Sequence, residues 1–548
     1  MTQRQTVQKL KTKKRVDLPT TYYRVHQKQW HYCLSNMSYK QGIAREQMSM
    51  FSLDCVITTD NPVRLIDMFV EQLDLVGIGF TKTVVKKEGC PPYHAKDLLK
   101  LYYYGYLNRI RSSRKLEAEC TRNIELWWLL HQLMPGYHTI ADFRKDNAVA
   151  FKKAFKIFVS FLKGEELLSA ETIAIDGTKI RAQNNKKNNF NEAGLAKHAA
   201  YIENKTQEYL SLLDEYDAIE DKQAGALKKQ EVVKKIAVLK ERKQKYEQLA
   251  EALTASGDKQ VSTSDAQSRS LPVKDGITNV CYNIQTVADS QHSLIVDFDT
   301  INEGDQGQLS TMAGKAMQVL EVKAITALAD KGYHTGRQLQ ECTASHITTV
   351  VAYPDRSSRA AQISPAYQTS EFIYDAAKDC YTCPQGAVLS TDGAEYEKKH
   401  IGRTTYLVKK YSTAQCNGCP VKHLCTTVKK GGRAIERSTY QDAIDANNKR
   451  VDENGALYKK RQQIIEHPFG TIKRSWGYSY TLLKSIKKVN GEMAIIFTMY
   501  NLRRAITILG VTVLLDKLKK CKPALKQQNT GLLKCISRRQ IISTAIAA

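Results

Sequence analysis

Three acidic residues stand in settings that suit metal coordination, namely Asp176, Asp330 and Glu466. The two aspartates each end an apolar run, and each is followed by a glycine within two residues. These runs predict buried strands with a carboxylate at the exit. An unpaired buried carboxylate is costly, so a partner cation is implied, and Mg²⁺ prefers such oxygen ligands. The alternative for each aspartate is an ordinary turn residue after a strand.

Glu466 is the single acid in the stretch 459–474, which holds five lysines and arginines. One interpretation is a salt bridge on a solvated helix, which is common. The other is a cation ligand surrounded by bases that hold an anion. Lys473 follows seven residues later, nearly two helical turns, which predicts that both side chains share a face. Pro468 lacks a backbone donor and predicts a helix start or kink near His467.

Five of the thirteen cysteines form a cluster. Their spacing is Cys-x2-Cys followed by Cys-x2-Cys-x5-Cys, and close pairs of soft thiolates match tetrahedral zinc. Five thiols for four positions leave one spare, and His423 is a possible substitute. Reduced cysteines without metal are the alternative. The cluster comprises Cys380, Cys383, Cys416, Cys419 and Cys425.

The charge balance is strongly basic, with 82 Lys and Arg against 56 Asp and Glu, a net charge of +26. Such a field attracts polyanions, and nucleic acid is the expected partner, although a basic surface that serves solubility is the alternative. The sequence contains no apolar run long enough to predict a membrane span, and the basic N-terminus lacks the apolar segment of a secretory signal. Clustered cysteines indicate a reducing compartment, so a cytoplasmic protein is expected.

The elements that must position these residues follow from hydrophobic periodicity. Apolar residues three and four apart predict an all-α region before residue 165, and β-branched runs with turn signals predict a mixed α/β sheet after it. Two apolar stripes separated by Gly225 predict a helical hairpin. The predicted domains are a basic segment 1–60, a helical domain 61–165, a core 166–369 with the hairpin 199–253 inserted, a Cys-rich insertion 370–437, a second core part 438–509 and a basic tail 510–548.

Four motifs together resemble the transposases of bacterial insertion sequences, in the DDE superfamily. They are "IAIDGTKIRA", "VADSQHSLIV", "ALADKGYHTG" and "IIEHPFGTIKRSWGY". The resemblance covers about residues 61–509. It implies an RNase H-like mixed-sheet catalytic core, an all-α N-terminal DNA-binding domain, and helical-hairpin and zinc-ribbon-like insertions.

The resemblance also implies the catalytic set. Asp176, Asp330 and Glu466 correspond to the three acids that hold two divalent ions, Mg²⁺ or Mn²⁺. Two such ions supply an activated water and stabilise the leaving oxygen in phosphodiester cleavage. The implied reaction cleaves DNA at the element's ends and joins the freed 3′-OH to target DNA.

DNA contacts are implied by the family motif Tyr-x2-Arg followed by Glu-x6-Lys. Tyr458 and Arg461 fit its first half, and Lys473 fits its second. Lys473 and Arg461 then contact phosphates, next to Arg474, and Tyr458 stacks on a displaced base. Four residues separate Arg461 from Glu466, one more than in relatives, so Lys460 is an alternative to Arg461.

The inserted segment of such relatives resembles Y-x-C-P … C-x2-C-P … C. This implies a structural Zn²⁺ on Cys383, Cys416, Cys419 and Cys425, with Cys380 spare. A site with four thiolates has no open position, so its role is structural or in DNA contact.

The implied partners are double-stranded DNA, as terminal inverted repeats and target, and a second copy of the chain, because two ends must be joined. No membrane is implied, and the localisation is cytoplasmic at the nucleoid. Two alternatives remain. One is an inactive or domesticated DNA-binding regulator, against which the three intact acids argue, and the other is a Mg²⁺-dependent nuclease that cannot join strands.

Several further polar residues are left unassigned. Asn283, Gln285 and Asp305 resemble polar positions that line the family's active site, but alternating polarity is equally expected of a half-exposed strand. Lys179 and Arg181 follow Asp176 closely, and either DNA contact or plain surface charge explains them.

Overall fold

A computed structural model describes residues 45–48, 50–81, 83, 91–217, 222–274, 276–354, 362–398, 405–428 and 430–521. Most of the predicted basic segment 1–60 and the tail from residue 522 lie outside these residues. The chain divides into two compact units, one up to Val56 and one from Ile57 onward. The first unit contains the short helix α1, Leu53–Val56.

Helices fill the second unit up to residue 164, as the periodicity predicts. The first begins at Pro62, where Asn61 accepts a hydrogen bond from the Val63 amide, an arrangement that satisfies a free helix-start donor. The longest, at the C-terminal end of this region, buries an apolar stripe that includes Phe151, Phe155 and Phe158. The helices are α2 Pro62–Gln72, α3 Leu75–Ile78, α4 Ala95–Leu107, α5 Ser113–Arg122, α6 Ile124–Leu129, α7 Tyr137–Asp146 and α8 Ala148–Gly164.

A mixed sheet follows, as predicted. Its strand order is β4-β5-β1-β7-β8, with β6 also paired to β5. Strand β5 pairs antiparallel with β4, β6 and β1, whereas β7 pairs parallel with β1 and β8. The strands are β1 Thr172–Arg181, β4 Arg269–Lys274, β5 Ile277–Asp289, β6 Ile295–Ile301, β7 Ile325–Ala329 and β8 Ile347–Val351.

The prediction that a strand ends at Asp176 is wrong. Strand β1 continues to Arg181 because its antiparallel ladder with β5 pairs every residue up to Arg181 with Cys281. The prediction for Asp330 is confirmed, since β7 ends at Ala329. Asp330 then caps a short 3₁₀ turn, where its Oδ1 accepts a hydrogen bond from the Gly332 amide at 2.9 Å.

The helical hairpin is longer than predicted. Its helices are α9 Glu192–Asp217 and α10 Lys222–Ser256. Gly225 lies inside α10 rather than between the helices, because a single glycine weakens a long helix without ending it. Short strands β2, Asn189–Phe190, and β3, Val261–Ser262, pair beside the hairpin.

Two helices flank the strands that carry the aspartates. The periodic segment before β7 forms α11, Leu309–Leu320, which the sequence analysis did not predict. Its buried face, including Leu309 and Met312, joins the main hydrophobic core. Helix α12, Gly336–Ala344, connects the turn after Asp330 to β8.

The Cys-rich insertion forms two small antiparallel sheets. They enclose a core of Phe372, Tyr381, Leu389, Tyr411 and Ile435. The elements are β9 Ile373–Asp375, β10 Cys380–Thr382, β11 Val388–Ser390, β12 Glu395–Lys398, β13 Tyr406–Tyr411, α13 Lys422–Cys425 and β14 Ile435–Ser438.

Four helices follow the insertion in the described residues, which end at Cys521. They are α14 Gln441–Glu453, α15 Gly455–Phe469, α16 Ile486–Leu509 and α17 Val511–Lys520. Within the described ranges no single helix has the length and apolarity of a membrane span, although α16 and α17, bent by 110° at their junction, meet both criteria as a pair. Most of α16 is buried in the core.

The sequence predicts a helix start or kink near His467, but the irregular backbone begins at Gly470. Helix α15 begins at Gly455 and contains Pro468. A π-helix, Gly470–Ser475, follows directly. Proline removes one backbone donor, and wider π-helical turns occur where the regular hydrogen-bond ladder is interrupted.

Candidate active site

Asp176 and Asp330 lie side by side because their strands are parallel neighbours. The ladder pairs Ala174 with Leu328, so two residues further along each chain Asp176 comes beside Asp330. Neighbouring strands are about 4.8 Å apart. The two carboxylates therefore form one acidic site at the point where β7 ends.

This proximity has an electrostatic consequence for Asp176. Burial raises the pKa of its carboxyl to about 6, and the negative charge of Asp330 adds to the rise. Arg461 and the Gly177 amide act in the opposite direction. Two like charges in a partly buried place favour a bound cation, which relieves both the repulsion and the cost of burial.

Helix α15 brings Arg461 to this site. It packs on β1 and β7 through Ile464 and Ile465, which contact a cluster containing Ala174 and Leu328. Side chains alternate along a strand, so the residue two positions after Ala174 faces the same helix. The Arg461 Nη1 lies 3.4 Å from the Asp176 Oδ2.

Glu466 lies on the same helix but points elsewhere. It is exposed, whereas Arg461 and Ile465 are buried. Five residues at 100° each place it about 140° around the helix from Arg461. Within the described ranges its carboxylate has no hydrogen-bond or ion-pair partner. The structure brings together Asp176, Asp330 and Arg461, and leaves the Glu466 carboxylate outside their contacts.

Lys473 is directed at strand β1. Its Nζ donates to the Thr178 Oγ1 at 3.1 Å and to the Lys179 carbonyl at 3.2 Å. Burial lowers the pKa of Lys473. The π-helix interrupts the α-helical spacing between Glu466 and Lys473, so the spacing that predicts a shared face does not hold here.

The other predicted DNA contacts differ in exposure. Arg474 is exposed, whereas Tyr458 is half-buried and packs against the apolar cluster beneath α15. The Arg461 guanidinium carbon lies 5.7 Å from the centre of the Tyr458 ring, a cation–π contact. Lys460, the alternative to Arg461, is exposed.

A polar group that the sequence analysis left unassigned lines the other side of the aspartates. Asp305 accepts hydrogen bonds from Asn283 and Gln285, each at 2.8 Å, and pairs with Lys179 at 2.7 Å. The alternating polar residues of β5 were the feature of the sequence that could have identified this polar group. A strand with one polar face carries the same pattern whether that face meets water or a buried carboxylate.

Several cysteines of the insertion lie near one another. Burial raises the pKa of the Cys425 thiol, Arg433 opposes the rise, and Cys416 and Cys383 add to it, which places these three thiols within electrostatic range. The Cys383 Sγ also accepts a hydrogen bond from the Ala387 amide at 3.3 Å. Cys419 lies in the same loop as Cys416, and Cys380 is buried in β10.

Both candidate metal sites have suitable donor chemistry. Carboxylates suit hard Mg²⁺, and thiolates suit Zn²⁺. In the part of the chain that the structure describes, no three His, Cys, Asp or Glu side chains converge closely enough to hold an ion. The pair of Asp176 and Asp330, whose like charges are only partly offset by Arg461, is the feature that fits a divalent cation best.

Comparison with known protein families gives two matches. Residues 382–506 match the model described as "Transposase DDE domain", and residues 51–146 match "Transposase domain (DUF772)". The first match contains Glu466, Arg461 and Lys473, and the second covers most of the N-terminal helices. No curated protein and no solved structure matches the chain.

Proposed function

We propose that this chain, which is a transposase with a DDE domain, binds the ends of its own mobile element, cleaves the DNA there and joins the 3′-OH ends to target DNA. Transposases of this group are catalytic and generally use a divalent metal ion. The observation that carries the proposal is the pairing of Asp176 with Asp330 on adjacent parallel strands, next to the helix that the DDE-domain match includes.

The sheet supports an RNase H-like core. Across the sheet, the antiparallel strands β6, β5 and β1 lie next to one another, and β7 and β8, which run parallel to β1, follow on its other side. One carboxylate stands in the middle strand and another at the end of its parallel neighbour. This strand order supports the proposal of the RNase H-like core that the sequence resemblance implies.

The three acids take the metal-binding role in this proposal. Asp176 and Asp330 lie together in the structure. The Glu466 side chain, which is exposed and directed away from this pair, would have to turn toward it to supply the third carboxylate. Bound divalent cations supply an activated water and stabilise the leaving oxygen. The protein therefore has to hold these carboxylate ligands close together although they repel one another.

The bases next to the acids hold the DNA. Lys473 contacts Thr178, which lies on the same face of β1 as Asp176, so its ammonium is placed for a phosphate near the cleaved bond. Arg461, whose Nη1 lies 3.4 Å from the Asp176 Oδ2, places a second cation beside the acidic pair, where its remaining N–H donors would contact a phosphate oxygen. Arg474 and Tyr458 extend this surface.

The reaction itself is a pair of phosphoryl transfers. Water adds to the phosphorus, the P–O3′ bond breaks, and the released strand ends in a 3′-OH. That hydroxyl then attacks a target phosphodiester and displaces the oxygen of the target strand. A homodimer is proposed because two element ends have to be held together. The Cys-rich insertion takes a structural Zn²⁺ on Cys383, Cys416, Cys419 and Cys425.

The test uses the full-length protein and a plasmid that carries the DNA flanking this chain's own gene. With Mg²⁺ we expect excised and joined products, and with chelator only bound DNA. Asp176→Asn, Asp330→Asn and Glu466→Gln should each abolish cleavage and keep DNA binding, because each removes a cation ligand but leaves the basic surface intact.

The matched control for Glu466 is Glu453→Gln, a change to an exposed acid at the end of the preceding helix. It should cleave like the wild type. Nicked but unjoined DNA would indicate a nuclease, and bound but uncut DNA a regulator. Full cleavage by any of the three active-site variants would remove that residue from the catalytic set.

A further inference from the structure

A network of hydrogen bonds, centred on Asp305, connects the two strands that carry the aspartates. Asp305 lies between β6 and α11. Its Oδ1 accepts from the Asn283 Nδ2 and the Gln285 Nε2, each at 2.8 Å, and its Oδ2 accepts from the Lys179 Nζ at 2.7 Å. Hydrogen bonds to an ionised carboxylate are about twice as strong as neutral ones. The proposed reaction assigns Asp305 no direct part.

Gln285 extends the network to the turn that Asp330 caps. Its Oε1 accepts a hydrogen bond from the Tyr333 hydroxyl at 2.6 Å. Tyr333 ends the 3₁₀ turn Lys331–Tyr333, and both Gln285 and Tyr333 are 0% exposed. The amide nitrogen of Gln285 faces a carboxylate and its oxygen faces a hydroxyl, so only one orientation of the side chain satisfies both ends.

The network also packs against the backbone of Gly177, the residue that follows Asp176. A Cβ atom at Gly177 would lie 2.5 Å from the Gln285 Nε2 and 2.7 Å from the Asn283 Oδ1, and would overlap the Asp305 carboxylate. Only a glycine leaves room for these groups. The network thus holds the strand at Asp176 on one side and the turn at Asp330 on the other.

We propose that Asp305 is a positioning residue that holds the two carboxylates at the separation a divalent cation requires. This inference rests on the proposed function, because it concerns the same metal site. Functional groups have to be held within about 0.5 Å, which packing and supporting hydrogen bonds provide. Groups that orient metal ligands typically change metal affinity or activity by about 10- to 100-fold when replaced.

The test is Asp305→Asn in the full-length protein. The change keeps one acceptor oxygen but removes the charge that faces Lys179. Mn²⁺ binding to the DNA-free protein, followed by electron paramagnetic resonance, should weaken by about 10- to 100-fold. The Mg²⁺ concentration for half-maximal cleavage should rise in parallel, and DNA affinity in chelator should stay unchanged.

The control is Asp297→Asn, which removes another buried charge from the same sheet. Asp297 is 1% exposed and pairs with Lys152 at 2.6 Å, and its side chain makes no hydrogen bond to the network within the described residues. It should lower thermal stability and leave Mn²⁺ affinity unchanged. Equal weakening in both variants would indicate a general loss of structure and overturn the proposal, as would wild-type Mn²⁺ affinity in Asp305→Asn.

A second variant, Tyr333→Phe, covers the case in which Asp305→Asn fails to fold. It removes one hydroxyl at the far end of the network and keeps the ring. A smaller loss of Mn²⁺ affinity is expected, and wild-type affinity would contradict the proposed link. Weakened Mn²⁺ binding in a protein that never cuts DNA would support this inference while rejecting the proposed function.

Discussion

At the scale of single residues, the Asp176 carboxylate has one cationic partner in the described chain, the Arg461 guanidinium. Among the residues that the structure describes, the guanidinium is not fully satisfied, since its Nε is buried without a hydrogen-bond partner there. It therefore has two tasks available at once. It offsets the negative charge of Asp176, and the proposed function also assigns it a contact with a phosphate oxygen of DNA.

Replacing Arg461 and its neighbour Lys460 one at a time tests which of the two cations supports cleavage. Arg461→Met should reduce the rate of DNA cleavage by about 100-fold, the lower end for loss of one stabilising donor. Lys460→Met removes an adjacent but exposed cation and should leave the rate nearly unchanged. Single-turnover cleavage assays measure both. The reverse order would assign the family's arginine role to Lys460.

At the scale of elements, the Cys-rich insertion has little core of its own. Five buried apolar residues hold its two small sheets together. Segments of this size usually need a disulfide or a metal ion for stability. The described cysteines are all free thiols, so a metal ion is the expected stabiliser.

Zinc content tests this insertion directly. The purified protein should contain about one Zn²⁺ per chain, since four thiolates complete a tetrahedral site. Cys416→Ser combined with Cys425→Ser should lose the metal and make the insertion sensitive to protease. Cys380→Ala should keep it, because Cys380 is buried in a strand. A wild-type protein without zinc would rule the site out.

At the scale of the whole molecule, the helices before residue 165 share one hydrophobic core with the sheet. Polar contacts reinforce the connection. Lys152 on α8 pairs with Asp297 on β6 at 2.6 Å, and Arg111 lies 3.5 Å from the buried Glu492 on α16. The helical region and the sheet should therefore unfold together rather than as separate domains.

The contact between α8 and α16 offers a test of this cooperativity. A Cβ atom at Gly491 would lie 2.4–2.8 Å from atoms of Ala148, including its backbone. Gly491→Ala should therefore destabilise the protein by about 1–3 kcal/mol, the usual cost of overpacking. Equilibrium denaturation, followed by both circular dichroism and tryptophan fluorescence, should show one shifted transition.

Gly314→Ala is the matched control, because Gly314 lies in a helix with nothing near its missing Cβ. It should be neutral or stabilise by up to about 1 kcal/mol. A Gly491→Ala protein in which only one of the two probes shifts would show that the helical region folds independently.

Features that depend on local pattern could be predicted from the amino-acid sequence. Helical periodicity marked the N-terminal helices, and β-branched runs marked the strands that carry Asp176 and Asp330. Aspartates within or directly after apolar runs led to the prediction of a cation site, because burying such charges without a partner is costly. These inferences need only a residue and its neighbours along the chain.

Features that depend on residues far apart in the chain could be seen only in the folded protein. Strand β1 extends past Asp176 because β5, about a hundred residues later, supplies hydrogen bonds up to Arg181. Asp305 joins the site because the sheet brings it to Lys179, 126 residues away. The direction of Glu466 follows from how α15 packs. A local pattern records which side of an element is apolar, whereas the order of strands and the packing of helices select which polar groups meet.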